Sequence, residues 1–421
     1  MKKMTFLIIS LVCFTVFSGC EDSTYTKKTV EPVTLTFFMD YTDNEMFRKN
    51  IADPIKKKFP HVQVNPIARV FPPERPVSLL QHLEDGKAPD IWLDNAYSSV
   101  PEAFKIRYSL DLKPFISKYR VDTNRFDPTL WDEILAYGDQ GQVYGFPFSV
   151  MRPQFFYNKT VFDAFGMAYP QNGMSWENIL ELSKKVSGTK DGVTYRGLVI
   201  EPYHMAKFAH QFGLNYVDSA AGQNNWKSFI QFWKQVYEPP IGANVEPKVD
   251  NQTAMALNPP VNPNTSGSWE KITYPTFQAQ GGAGAGGLSS IIGIGPKSAH
   301  KDLAFQIIDL LTSEEYQLSV VGPQSDSSLM NETIRKHAQT SDPANAGKLV
   351  FGKLAPVSKR ISVYDKEPFG RTIAADVLVQ TAQGQIDAET AINRLDEIFK
   401  RNIETQKGEE TRAKQVMESL K

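Results

Sequence analysis

The chain has 421 residues, 41% hydrophobic and 22% charged, with 46 basic and 47 acidic side chains and a net charge of −1. That balance suits a globular chain and offers neither a basic face for nucleic acid nor a field for a polyanionic partner. Cys13 and Cys20 are the only cysteines, so residues 21–421 hold no disulfide and no thiolate metal site.

Lys2 and Lys3 precede an uncharged run over residues 4–18. It is shorter than the roughly 20 residues that cross a bilayer and reads as the core of a secretory signal. "FSGC" (17–20) closes it, with the small residues and the cysteine of a bacterial lipobox. Residues 1–19 are therefore predicted to be cleaved, which discards Cys13 and leaves Cys20 to carry lipid. Several acyl chains on that residue would anchor the protein stably, where a single chain binds only marginally. Residues 20–32 are polar and aperiodic, a tether. About 400 residues then follow, more than one hydrophobic core usually supports, so two lobes are expected.

"TLTFFMD" (34–40) is rich in β-branched and aromatic residues and predicts a strand. Residues 43–60 predict a helix, with Phe47, Ile51 and Ile55 on one face and Lys56, Lys57 and Lys58 in the last turn, where they suit the helix dipole. "HVQVNPIA" returns as a strand, "PVSLLQHLEDG" as a helix and "DIWLD" as a strand. This alternation predicts a parallel α/β sheet. Farther on, Ser175 caps a helix over 175–186, and Trp226, Phe229 and Trp233 form one stripe of a helix over 224–237. Residues 258–268 and 278–290 are turn-rich, "IIGIGP" is a short apolar strand, and helices follow over 300–311 and 387–399, the last capped by Asp387.

Catalytic and metal motifs are scarce. The six histidines, His61, His82, His204, His210, His300 and His337, form no H-E-x-x-H, and no C-x-x-C, EF-hand loop or G-x-S-x-G occurs. Neither a metal nor a cofactor is expected, and no acid–base pair stands out. Gly282, Gly284 and Gly287 fit G-x-G-x-x-G, but a strand follows them where a dinucleotide site needs a helix N-terminus. Trp92 lies at the C-terminal end of its strand, where α/β sheets place ligands, and is either a platform or core.

Five segments in order resemble the extracellular solute-binding proteins of ABC importers, the branch with maltodextrin- and oligosaccharide-binding proteins. They are "DGKAPDIWLDNAYSS", "GQVYGFPFSVMRPQFFYNKTVFDAFG", "SWENILELSKKV", "TAMALNPP" and "GGLSSIIGIGPKSAHKDLAFQIIDLLTSEEYQ". The resemblance implies an α/β fold of two lobes, the periplasmic-binding-protein fold of type II, closing over a ligand at a hinge. Lobe 1 would hold residues 33–147 with 292–345, and lobe 2 residues 148–291 with 346–421. The chain would cross near 146–150, 287–292 and 344–351.

The implied ligand is a mono- or oligosaccharide, delivered to ABC permease subunits by a monomeric receptor held to the membrane through Cys20 alone, on the extracytoplasmic face of a Gram-positive cell. Carried over position by position, the ligand-binding candidates are Asp94, Asn95 and Tyr97 after the P-D-I segment, and Ser149, Met151 and Arg152 on the crossing strand. Tyr203 and His204 in "EPYH", and Phe369 and Arg371 in "EPFGRT", complete the set. No carboxylate stands near Met151, where many sugar binders have one; Arg152 is the available donor. The competing expectations are a secreted carbohydrate-active enzyme, which would need a positioned acid and base, and a binding protein for a non-sugar solute such as a peptide.

Overall fold

The computed structural model describes residues 31–39, 44–68, 78–95, 101–138, 140–151, 155–200, 212, 223–241, 249–257, 268–278, 288–320, 326–329, 331–334, 336 and 373–420. The signal segment, Cys20 and the Gly282–Gly284–Gly287 motif lie outside these residues, as does the crossing predicted near 344–351.

Strand β1 (Val33–Met39) runs parallel to β2 (Val62–Ala68) and β3 (Ile91–Asn95). Between β1 and β2 lie helix α1 (Asn44–Phe47), a π-helical turn (Arg48–Ala52) and α2 (Asp53–Lys58). The predicted stripe Phe47, Ile51 and Ile55 is buried. The π turn breaks the single helix expected here, and Pro54 gives the reason. It has no N–H for the carbonyl of Asn50 four residues back, and the Tyr316 hydroxyl donates to that carbonyl at 2.7 Å.

Helices α3 (Leu79–Glu84), α4 (Glu102–Lys105), α5 (Lys113–Tyr119) and α6 (Pro128–Ala136) complete this half before β4 (Phe146–Met151). The chain then builds β5 (Phe155–Asn158), α7 (Lys159–Phe165), α8 (Trp176–Lys185), the hairpin β6 (Gly188–Lys190) and β7 (Val193–Tyr195), α9 (Gln223–Tyr237), β8 (Met255–Leu257) and β9 (Trp269–Ile272). Ser175 caps α8 as predicted, within a reciprocal capping box with Asn178. β10 (Leu288–Ile294), α10 (Lys301–Leu311), α11 (Glu314–Val320) and β11 (Asp326–Ser327) follow, then α12 (Ile373–Ala382) and α13 (Ala388–Ser419).

The larger sheet has the order β11-β4-β10-β3-β1-β2, and a smaller one has the order β8-β5-β9. The larger sheet is mixed, not wholly parallel: β10 runs antiparallel to both β3 and β4, and β11 antiparallel to β4. β10 enters the sheet at the end where β3 and β4 finish, so it must run against them.

Two hydrophobic cores result. The first includes Leu35, Phe37, Ile91, Trp92, Phe146, Ile292 and Phe305; the second includes Phe155, Trp176, Phe229, Trp233, Met255, Phe277 and Leu395. Phe146 belongs to the first and Phe155 to the second, while Phe277 belongs to the second and Ile291 to the first.

α13 departs from expectation. The sequence predicts a helix over 387–399 and places residues 346–421 wholly in the second lobe. α13 instead runs for 32 residues. Ala391, Ile392, Leu395 and Ile398 pack in the second core, while Ala413 is buried in the first, with Val416, Met417 and Leu420 against it. Residues 400–412 are polar apart from Ile403 and Gly408 and carry no apolar stripe, so contacts at both ends reveal that the helix continues.

Candidate functional site

β1, β2 and β3 are parallel, so their carboxyl ends, Met39, Ala68 and Asn95, define one edge of the larger sheet. Ser290 pairs with Asn95 and Ile294 with Ile91, so β10 enters at this same edge. Leu288 pairs with Met151, so β4 leaves there, and Asp326 pairs with Val150, so β11 enters there. An edge where so many strands end, and where the direction of the chain reverses, is where open α/β sheets bind ligands.

The smaller sheet presents a matching edge. Phe155, the first residue of β5, pairs with Leu257 and Ile272, the last residues of β8 and β9. Val199 bridges Ala256 in parallel, so Ile200 also stands at this end. Four peptide links join Met151 to Phe155, so where β4 gives way to β5 the two edges come within about 14 Å of each other. Both lobes therefore turn strand ends toward one junction.

The register places four polar residues in one row just inside the larger edge: Asn95, Ser290, Ser149 and Ser327 on β3, β10, β4 and β11. The Ser327 hydroxyl donates to Gln317 Oε1 at 2.7 Å and accepts from the Leu329 amide at 3.0 Å. Gln317 is buried and donates from Nε2 to the Phe148 carbonyl at 2.9 Å, which holds β11 against β4. Ser149 differs. It is half-buried and makes no side-chain hydrogen bond among the described residues.

The two aspartates of "PDIWLD" divide their work by position. Asp90, at the amino end of β3, accepts from the Thr36 amide at 2.8 Å and from the Ser298 hydroxyl at 2.6 Å. It ties β1, β3 and the end of β10 together on the side away from the site. Asp94, at the carboxyl end, is 3% exposed, and its Oδ2 accepts the Glu102 amide at 2.7 Å. Trp92 is core rather than platform: it is fully buried and edge-to-face with Phe104 at 5.2 Å. Its ring occupies the space a side chain would need at Gly293.

Of the predicted ligand residues, the structure brings Asp94, Asn95, Ser149 and Met151 together at this edge. Tyr97, Arg152, Tyr203, His204, Phe369 and Arg371 lie outside the described residues. Sequence reasoning missed Glu102, Ser290 and Gln317. The only sign of Ser290 was a pair of serines opening an apolar strand, and the sign of Glu102 was an acidic residue after a proline, a helix start. Among the described residues no group of histidine and carboxylate side chains could hold a metal ion.

A family model described as bacterial extracellular solute-binding protein matches residues 50–347. The chain belongs to that family. This solute-binding protein resembles the sugar-binding protein MalE of Xanthomonas citri at 18% identity and a TM-score of 0.66, covering 89% of this chain and 98% of the other. A sugar transporter from Rhizobium etli in an open conformation matches at 16% identity and a TM-score of 0.64, over 87% and 99% of the two chains. A Listeria monocytogenes ABC substrate-binding protein in complex with cycloalternan matches at 17% and 0.62, over 89% and 99%. At these identities the likeness establishes the two-lobed fold. No curated protein matches this solute-binding protein.

Proposed function

We propose that this protein is a lipid-anchored receptor that captures a mono- or oligosaccharide between its lobes and hands it to an ABC permease without altering it. One observation carries the reading: the two sheets are joined at strand ends, β4 to β5, by four peptide links, and Asn95, Ser290, Ser149 and Ser327 stand in one row at the edge of the larger sheet, the Ser149 side chain making no hydrogen bond among the described residues. Sugars need such a place. Their C–H faces lie on aromatic rings, and each buried hydroxyl left unpaired costs about 1–3 kcal/mol. Asp94, Asn95, Tyr97, Ser149, Met151 and Arg152 would meet the ligand from the first lobe and the hinge. Tyr203, His204, Phe369 and Arg371 would meet it from the second. The cycloalternan of the Listeria neighbour supports the ligand class.

Closure would follow from contacts made by both lobes only in the closed state. Lipid on Cys20 would keep the receptor beside its permease. Mass spectrometry of the mature N-terminus tests the anchor: a lipidated Cys20 is expected, and an unlipidated N-terminus beginning beyond it overturns it. A thermal-shift panel of cycloalternan, maltose, mannotriose and D-mannitol, with peptides as the contrast, tests the ligand class. A ligand at a hundred times its Kd stabilises the folded state by about 2.7 kcal/mol. Tyr203→Ala or Phe369→Ala should abolish that shift and leave the unliganded melt nearly unchanged. A shift with peptides alone overturns the sugar assignment, and hydrolysis of the bound sugar overturns the non-catalytic one.

A further inference from the structure

The two ends of the larger sheet carry different groups. The carboxyl ends of β1, β2 and β3 form the edge with the polar row, and along β1 the opposite end lies about 20 Å away, where Val33 pairs with Val62. Lysines collect at this amino end. Lys56, Lys57 and Lys58 close α2, which returns to β2 through residues 59–61, and the Val33 amide donates to the His61 carbonyl at 2.9 Å. Lys87 lies between the end of α3 and the start of β3. Lys297 follows β10, where the Gly295 amide donates to the Asp90 carbonyl at 2.9 Å. All five lysines are exposed.

Acidic groups do not cancel them. The exposed carboxylates beside these lysines are Glu31 and Asp85, while Asp90 accepts from Thr36 and Ser298. The end of α13 brings Lys414 and Glu418, of opposite charge, and Lys118 pairs with Asp302. The helix dipole accounts for lysines in the last turn of α2, but not for Lys297, which follows a strand. The net charge of −1 gives no sign of such a face, because the fold sorts charges that composition only counts.

The N-terminal segment enters the fold at the same end. Val33 opens β1, and thirteen peptide links separate it from Cys20, a reach of at most about 45 Å. Lipid on Cys20 would keep this end within that distance of the bilayer, at an effective concentration where a few weak charge contacts suffice. We infer that Lys56, Lys57, Lys58, Lys87 and Lys297 form a surface that rests on anionic phospholipid headgroups of the membrane, with the ligand edge turned away from the bilayer. The inference rests on the lipid anchor proposed above.

The chain from Cys20 onward has a single thiol. The unlipidated protein can therefore be coupled through it to a maleimide-bearing lipid, in vesicles of phosphatidylcholine alone or of phosphatidylcholine with phosphatidylglycerol. Amine acetylation, read by mass spectrometry, then reports the accessibility of each lysine. Labelling of the five lysines should fall about threefold or more on the phosphatidylglycerol vesicles. It should recover in about 1 M salt, where the Debye length shrinks to about 3 Å. Lys185, exposed on the second lobe, should label alike on both. Replacing the α2 lysines together, Lys56→Gln with Lys57→Gln and Lys58→Gln, should return Lys87 and Lys297 to their labelling on neutral vesicles. Equal labelling of the parent on the two kinds of vesicle overturns the inference, as does protection of Lys185 to the same extent, which is general adsorption. Protection of Lys87 and Lys297 that survives the triple substitution overturns it too, as does protection by soluble polyphosphate with none by vesicles. Because the coupling supplies the anchor, these outcomes judge the surface alone; an unlipidated N-terminus beginning beyond Cys20 in cells speaks against the anchor instead.

Discussion

The two cores of this protein solve the same packing problem with different materials. The first is built on a six-stranded sheet whose buried strand residues are largely aliphatic and phenylalanine, with helices packed on it. Among the described residues the second has a sheet of three short strands, and aromatic rings pack around it. Trp176 meets Phe155, Phe232 and Tyr274 edge-on at 5.4, 5.5 and 5.6 Å. Phe229 and Phe232 meet Trp233 edge-on at 6.1 and 5.7 Å. The first core combines its rings with a broad backbone ladder; where the ladder is short, edge-to-face contacts between large rings supply more of the order. The second core should therefore depend more heavily on single side chains.

Trp176→Ala should be the most damaging change. Removing a buried tryptophan typically costs about 3–5 kcal/mol, and the loss of hydrogen-exchange protection should be confined to the second core. Equal loss of protection in both cores would show that they unfold as one unit. Gly293→Ala probes the first core from the opposite direction, by crowding. The added methyl would clash with both the Trp92 ring and the Tyr144 carbonyl, at a cost of about 1–3 kcal/mol. A melt unchanged from the parent would show that the first core yields more readily than its packing implies.

α13 belongs to both regions, so it tests how they are joined. Its far end is held to the first lobe by Arg412, which pairs with Glu84 through both carboxylate oxygens, by an Arg107–Glu410 pair at 3.1 Å, and by Lys297, which donates to the Leu420 carbonyl at 2.6 Å. The pairs are exposed and contribute little each. Arg412→Ala with Glu84→Ala should leave the main melt nearly in place while limited proteolysis cuts faster within residues 400–419. No change in cleavage would assign the docking to Ala413, Val416 and Met417 alone.

The smallest effect concerns acid. Burial raises the Asp250 pKa, but the hydrogen bond and charge of Arg196 outweigh it, and the carboxyl stays below its usual range. A depressed carboxylate contributes stability above its unfolded pKa, about 3.9, and that contribution is lost as the pH falls through the lower folded value. Asp250→Asn should therefore flatten part of the stability loss below about pH 4 and leave the neutral-pH curve almost unchanged in shape. An unaltered acid limb would mean that the pair is screened by solvent.

The local elements were legible in the sequence because local physics decides them. Phe47, Ile51 and Ile55 recur every fourth residue and form one buried face; Ser175 and Asp387 cap the helices they precede; Trp226, Phe229 and Trp233 make one buried stripe. The order of the five family segments was enough to place the chain among solute-binding proteins of two lobes. Other features depend on residues far apart in sequence. The antiparallel entry of β10 follows from where the chain returns to the first sheet. Trp92 is core because Gly293, some two hundred positions later, leaves room for its ring. The reach of α13 depends on a pocket for Ala413 and an acid at Glu84, neither visible in its own polar sequence. The bond from the Glu102 amide to Asp94 Oδ2, 2.7 Å long, is likewise a product of the tertiary fold and not of the local sequence. Periodicity and capping act within a few residues, whereas the partners of a buried side chain are chosen by the whole fold.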